Sequence, residues 1–500
     1  MESKLEEKET EVGFEEKKSP DSEDNREDND EEAKGEFRKI SEETKDKANS
    51  SEVSSVSSGK YHPAFVSVRI KPLSGEPEQG HSGVAAAKRL SKFTEKSITI
   101  GNSEKGSVIK AFSFPTTVIP PEMDQESTYQ TLAAPLVERF VEGYDVNFLA
   151  FGQTGSGKTH TIFGPPGSMA NAAKLLKSRD CSHETASNLI LDCHGILIRA
   201  CFDAVKFMKQ RENSGIASCI LEGSMVEVYF DQAQDLLNNK VACSLDDTDE
   251  WQGLTHISLD TPDNIIRLAA AAQDRTTNTT RMNESSSRSH CITTLKLTQY
   301  LPDSDEIVVS RFHFFDLMGS ERSKGSNSAH DERINNKETI SGCEGIYANW
   351  TLHQFSLCVQ RVYDLRKKKG ITKPMKKASK KTGDFIPYRL TFLTRILAGS
   401  LFGTSLTSMV LTLSQAARNG EECYQSLQYG EAIARLPTNP VLQPSHNFEK
   451  LRAKARTELV KSKEALKRTS VEAYVTIRKA QIQKWMDLLI NLEKFKPSSQ

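Results

Sequence analysis

Paired cysteines are missing from this chain of 500 residues. Its nine cysteines lie scattered between Cys181 and Cys423, with no C-x-x-C and no His/Cys cluster at zinc-ligand spacing, so neither a disulfide framework nor a structural metal is indicated. A long apolar run is missing too. No window approaches the roughly 18 apolar residues of a membrane span, and the start, MESKLEEKET, has neither the basic nor the apolar region of a signal peptide. These absences predict a soluble, intracellular protein with reduced thiols. Net charge is nearly absent as well, since 66 basic residues meet 67 acidic ones to give −1 at pH 7. That balance hides a segregation along the chain, and segregated charge implies separate electrostatic tasks for separate segments.

Three territories follow. Residues 1–58 carry acidic runs such as DSEDNREDNDEE and then SSEVSSVSSG, with almost nothing to bury, which predicts disorder. From 61 to 440, β-branched runs (VNFLAF, SCILEGSMVEVYF, HCITTLKLTQY, IVVSRFHFFDLM, TSMVLTLS) interleave with helical patterns (STYQTLAAPLVERFVEGY, ILIRACFDAVKFMKQ, YRLTFLTRILAGSL). Interleaving of this kind predicts an α/β architecture around one sheet, and Pro72 is expected to end the first strand. Residues 441–500 are basic, with apolar residues at mixed three- and four-residue spacing. A short helical hairpin, a homodimer stub, or a helix packed on the main domain all satisfy that pattern.

The stretch AFGQTGSGKTHTIFG is the chemical centre of the sequence. Gly152, Gly157, Lys158 and Thr159 fill G-x-x-x-x-G-K-[ST], in which backbone amides cradle phosphates, a lysine reaches the outer ones and a hydroxyl holds Mg²⁺. Two downstream loops have the composition to sense a γ-phosphate. Asn283 to His290, NESSSRSH, supplies hydroxyls and one arginine, although serine-rich loops are often only turns. FFDLMGSER leaves Asp316 at a strand end and Gly319 where a backbone amide can come close to phosphate; Arg288 and Glu321, of opposite charge, can latch one loop to the other.

In this order, GQTGSGKTHT, N-x-x-S-S-R-S-H and D-L-x-G-S-E resemble the nucleotide loop and two switches of the kinesin motor domain. RIKP (Arg69 to Pro72), PLVERFVEGYDVNFLAFGQTGSGKT, MVEVYFDQAQDLL and PYRLTFLTRILAGSLFGTS resemble further family blocks, so the resemblance runs from about Phe65 to about Pro440. It implies a P-loop NTPase fold of kinesin type, with a central, mostly parallel or mixed sheet flanked by helices on both faces. It also implies ATP, and no N-K-x-D guanine reader is found. Carried over residue by residue, Gly152, Gln153, Thr154, Gly155, Ser156, Gly157, Lys158, Thr159 and His160 wrap the nucleotide, with Arg69, Pro72 and His160 beside the adenine. Thr159 and Ser287 go to Mg²⁺, and Asp316 to the metal's water shell. Gly319 senses the γ-phosphate, while Arg288 and Glu321 close over it. The implied activity is microtubule-stimulated ATP hydrolysis, and the implied location is the cytoskeleton.

Departures gather on the side that faces the track in the family. One departure lies elsewhere, in the second switch, where Met318 replaces an alanine. The segment RSKGSNSAHDERINNKETISGCEGIYANWTL is longer than its family counterpart, and Leu390, Thr391 and Phe392 stand where a charged Y-R-D-S-K-L-T is usual. Against this, RKKKGITKPMKKASKKTGD supplies Arg366, Lys367, Lys368, Lys369, Lys373, Lys376, Lys377, Lys380 and Lys381, read as a loop, ahead of Arg389. Such a loop suits acidic tubulin tails; a solvated face, nuclear localisation or nucleic-acid binding compete for it, and nucleic acid is the less favoured partner. A non-motile microtubule tether and a nucleic-acid ATPase are the alternative functions.

Overall fold

The computed structural model describes residues 62–73, 88–102, 108–114, 116–168, 172, 193–229, 232–275, 289–320, 336–369, 385–416, 419–469 and 472–496. The chain divides into two units, Met1–Ser58 and Gly59–Gln500; the first, read from sequence as a disordered tail, lies outside the described residues.

The second unit is built on β1 (Phe65–Lys71), α1 (Gln125–Leu132), α2 (Ala134–Glu142), β2 (Val146–Phe151), α3 (Lys158–Ile162), α4 (Ile196–Asn213), β3 (Ser218–Tyr229), α5 (Pro262–Ala270), β4 (His290–Leu301), β5 (Glu306–Asp316), α6 (Asn336–Lys369), α7 (Phe392–Ile396), α8 (Ala398–Phe402), β6 (Leu406–Ser414), α9 (Gly420–Ala434), α10 (Phe448–Lys467) and α11 (Glu472–Phe495). These strands lie in the order β3-β4-β5-β2-β6-β1. From β5 to β1 the neighbours are parallel, and β3, β4 and β5 pair antiparallel. The sheet is therefore mixed, with a parallel half and an antiparallel wing.

The central strand explains the layers. All six residues of β2 are buried, as expected for a parallel strand covered on both faces. Because side chains alternate, Val146, Phe148 and Ala150 join the core under α1, α2, α4 and α5, whereas Leu149 and Phe151 join the core under α6, α8 and α9. Phe312 and Phe314 of β5 face the first core, Phe315 the second.

Two helical patterns are broken. STYQTLAAPLVERFVEGY forms α1 and α2, separated at Ala133, because Pro135 in the first turn of α2 has no N–H to carry a continuous helix. YRLTFLTRILAGSL likewise divides into a 3₁₀ turn, Tyr388–Leu390, then α7 and α8. Thr391 accepts from the Thr394 N–H as the N-cap of α7.

Beyond α9 the chain runs along the body rather than away from it. Pro437–Thr438 pairs with His62–Pro63, Asn439 and Val441 donate to the Gly403 and Thr404 carbonyls, and His446–Asn447 pairs with β5. The α10–α11 hairpin then buries Phe448 and Leu492 with Ile307 of β5. Lys484 of α11 lies 3.4 Å from Asp246, and Asn491 donates to Glu222 of β3. Part of the apolar surface of this segment is thus used within the chain, while Val460, Tyr474, Ile477, Met486 and Ile490 stay exposed.

Candidate functional site

The loop between β2 and α3 sits at the C-terminal edge of the parallel strands, the usual ligand edge of such sheets. Its glycines have distinct reasons. Gly152, at φ +154°, could carry no side chain, since an added Cβ would lie 2.4 Å from the Thr412 carbonyl oxygen. Gly155 and Gly157 have φ of +75° and +108° with open space around them, which suits a cradle that phosphate oxygens fill. Ser156 Oγ donates to the Gln153 carbonyl and meets Thr412 Oγ1 at 2.6 Å, fastening the loop to β6. Lys158, only 7% exposed, donates from Nζ to the Gly152 and Gln153 carbonyls at 2.9 Å each.

Asp316 ends β5 directly beside this loop. It is 1% exposed, and its Oδ2 accepts from Thr159 Oγ1 at 2.7 Å and from Arg275 Nη1. Its Oδ1 is buried with no hydrogen-bond partner among the described residues. Burial works against the Arg275 charge, but Asp316 beside it raises the guanidinium above its ordinary pKa. The segment after Asp316 lies along the loop: Leu317 N–H donates to the Ala150 carbonyl and Ser320 N–H to that of Gly152. Gly319 is buried between them in sequence.

His290 opens β4 next to this edge. Its Nδ1 accepts from the Met318 N–H at 3.3 Å, which leaves the ring proton on Nε2, facing Thr351 Oγ1 of α6 at 3.0 Å. Burial, with the Arg275 and Lys158 charges, pulls this imidazole down to about 3, so it stays neutral. Met318, the residue in place of an alanine, is accommodated in the core under α6.

A second group lies at the mouth of the loop. Arg69 Nη1 donates to Gln125 Oε1 at 2.8 Å and Thr161 Oγ1 at 3.0 Å, and burial lowers its pKa to about 10. Gln125 Nε2 in turn donates to the His160 carbonyl, and Lys71 Nζ to that of Gly155. The His160 ring and Pro72 are exposed here. Partial desolvation, then the Arg69 and Lys71 charges, lower the His160 pKa.

Lys71, Gln125, Thr412 and Arg275 were not picked out from the sequence. Lys71 sits inside the quoted RIKP motif and could have been; the other three reach the site only through tertiary packing. Asn283 to Arg288, with Ser287, and Glu321 lie outside the described residues.

Residues 69–436 match the model of the kinesin motor domain. The chain belongs to the kinesin motor domain family. It is 29% identical over 391 residues to the kinesin-like protein KIF7 of Mus musculus, covering 73% of this chain and 24% of that protein. It is also 29% identical over 392 residues to the chromosome-associated kinesin KIF4 of Xenopus laevis, covering 76% and 27%. The chain thus spans about a quarter of the length of these curated relatives. Among solved structures, a dimeric KIF14 fragment with AMP-PNP in complex with a microtubule matches with a TM-score of 0.59 and 26% identity, over 77% of this chain and 97% of that one. The mixed sheet between two helical layers is the kinesin motor fold.

In this kinesin, the basic stretch is not wholly a loop. Lys367, Lys368 and Lys369 continue α6, whose last turns bury Val362 and Leu365. Arg366 is buried and donates to the Phe402 carbonyl at 3.1 Å, so it belongs to the core rather than to a basic loop. Lys367 and Lys368 are exposed. Lys373, Lys376, Lys377, Lys380 and Lys381 lie outside the described residues. Arg389 is exposed and donates to the Asp247 carbonyl and to Tyr388 Oη. Among the described residues no His/Cys/Asp/Glu group could hold a metal by itself, and no helix is long and apolar enough to cross a membrane.

Proposed function

We propose that this chain is an ATP-hydrolysing motor of kinesin type that couples nucleotide turnover to microtubule binding and movement on the cytoskeleton. The observation that carries the reading is the meeting of Thr159 and Asp316 at 2.7 Å beside the glycine loop, which unites two of the family's nucleotide motifs at one edge of the sheet.

The residues fit both nucleotide and Mg²⁺. Gly155 and Gly157 leave a cradle open, and the buried Asp316 Oδ1 is an acceptor for a metal-bound water; hydroxyl and carboxylate oxygens are the donors a hard cation prefers. Thr159 and Ser287 would hold the metal, with Asp316 in its outer shell. When bound, Mg²⁺ neutralises charge developing on the transferred phosphoryl group. Lys158 leaves its two carbonyls to bind the β- and γ-phosphates of ATP. Arg69, Pro72 and His160 border the base. Gly319 donates its backbone N–H toward the γ-phosphate, while Arg288 and Glu321 close over the site and orient the attacking water. Catalysis is positioning and charge stabilisation, with no covalent intermediate on the protein.

The lysines of residues 367–381 and Arg389 serve the microtubule, whose acidic tails attract them over a Debye length. A second reading, a microtubule tether with a slow ATP cycle, is favoured by one observation. Leu390, where the family block carries charge, is 53% exposed.

ATPase turnover with and without microtubules tests the reading. Stimulation is expected. Co-sedimentation without stimulation would establish the tether, and stimulation by nucleic acid instead of microtubules would overturn both.

A further inference from the structure

The short strands Val241–Leu245 and Trp251–Gln252 pair antiparallel and are joined by an acidic turn, Asp246, Asp247, Thr248, Asp249 and Glu250. Its shape is fixed locally. Asp246 Oδ1 accepts from the Thr248 N–H, the Thr248 hydroxyl and the Glu250 N–H, while Asp249 takes a left-handed backbone at φ +65°, a conformation that Asp and Asn tolerate. The turn is also pinned from outside. Trp251 stacks on Phe392 of α7 at 5.8 Å, Arg395 of α7 donates to Asp249 Oδ1 at 2.9 Å, Arg311 of β5 to Glu250 at 2.7 Å, and Lys484 of α11 reaches Asp246 Oδ2 at 3.4 Å.

Arg389 is held differently. Its side chain is 48% exposed, against 19% for Arg395, and it lies 3.9 Å from Asp249 Oδ1 while donating to the Asp247 carbonyl. An exposed pair at that distance is weak and screened by salt. A denser acidic surface can therefore draw the guanidinium away, while the turn, anchored by its other contacts, stays behind.

We propose that the acidic turn 246–250 is an in-chain competitor for the microtubule: it occupies Arg389 in the unbound protein, and the acidic tubulin surface must displace it to recruit that arginine. This rests on the microtubule reading above. The turn lowers affinity for every acidic surface and so favours those dense enough to win the exchange. Co-sedimentation of the full chain with microtubules at low and high salt provides the readout. Asp249→Asn keeps the left-handed backbone and an oxygen for Arg395 but removes the charge facing Arg389. Its affinity at low salt should rise about threefold over wild type, the scale of an exposed pair, and the difference should close at high salt. On an Arg389→Gln background the same substitution should retain less than about half of that gain, since only the long-range charge of the turn then acts.

Unchanged affinity in Asp249→Asn, with an unchanged unfolding midpoint, would overturn the proposal, as would an equal gain with and without Arg389. Should Asp249→Asn lower the unfolding midpoint, Asp247→Asn, which leaves the Arg395 contact in place, carries the same test, with a gain of about twofold expected and no gain overturning the proposal. A wild-type chain that does not co-sediment with microtubules would remove the microtubule reading and this proposal together, whereas one that co-sediments but does not respond to either substitution removes the proposal alone.

Discussion

The nucleotide edge and the outer face of α6 obey different rules. At the edge, four of the described side chains that bear chemistry are each met by a partner from another element. Lys158 meets the loop carbonyls, Thr159 meets Asp316, Arg275 meets both Asp316 and Ser289, and His290 meets the chain after β5. On the outer face, His353, Leu357, Gln360, Asp364, Lys367 and Lys368 are exposed along one side of a single helix, with Arg389 and Leu390 also exposed. Phosphate chemistry needs atoms held to fractions of an ångström. Attraction to a charged polymer needs charge only within about a Debye length, roughly 10 Å at 0.1 M salt. The first demand leaves little room for substitution and the second leaves more, and Leu390, in the second region, is one of the departures from the family block.

That contrast can be broken by mutation. The largest effect is expected for Lys158→Ala, which should cut ATP turnover by more than about 100-fold because the outer phosphates lose their one mobile cation; steady-state ATPase checks it, and unchanged turnover would end the motor reading. Next comes Gly152→Ala. With its Cβ 2.4 Å from backbone, the variant should lose about 2–4 kcal/mol in denaturant unfolding, whereas Gly155→Ala, in open space, should lose about 1 kcal/mol. Equal losses would show that the loop is not pressed against β6.

His290 sharpens the comparison through pH. Its folded pKa, about 3, lies below the ordinary value near 6.5, so the unfolded chain binds the extra proton. Stability is then full above about pH 6.5 and falls below it, by about 1.4 kcal/mol per pH unit from this group. Denaturant midpoints from pH 7 to 5 should decline less steeply in His290→Gln; an identical slope would mean that the ring is solvated. The smallest effect belongs to the other region. Leu390→Asp should change folding stability by less than about 0.5 kcal/mol, and microtubule affinity by about twofold, read by co-sedimentation at several salt concentrations.

Much of the edge was legible because phosphate chemistry forces residue types into short strings. The glycine loop, Lys158, Thr159 and the strand-end position of Asp316 could all be read locally. Arg275 could not, since it is separated from Asp316 by 41 positions and only the α5–β4 course brings it back. The helix breaks at Ala133 and around Thr391 were also missed, although Pro135 and the threonine cap were visible as letters. Apolar periodicity outweighed them in the reading. For the basic tail, spacing alone left three outcomes open. That a hairpin of this tail packs on the main domain came from Phe448 and Leu492 finding Ile307, a contact that no local pattern encodes.

The strand order also carries a consequence for synthesis. β1 pairs along its whole length with β6, and Lys71 accepts a hydrogen bond from Gln415, 344 positions later. At roughly 5–20 residues per second, the ribosome needs about 20–70 s after emitting β1 before its partner exists. Until then the apolar flanks of β1 and β2 cannot close the sheet, so the nascent chain waits with unpaired strand edges. Cellular yield of this protein should therefore depend on holding chaperones more than its final stability suggests, and slowing translation ahead of β6 should lower that yield more than slowing it afterwards.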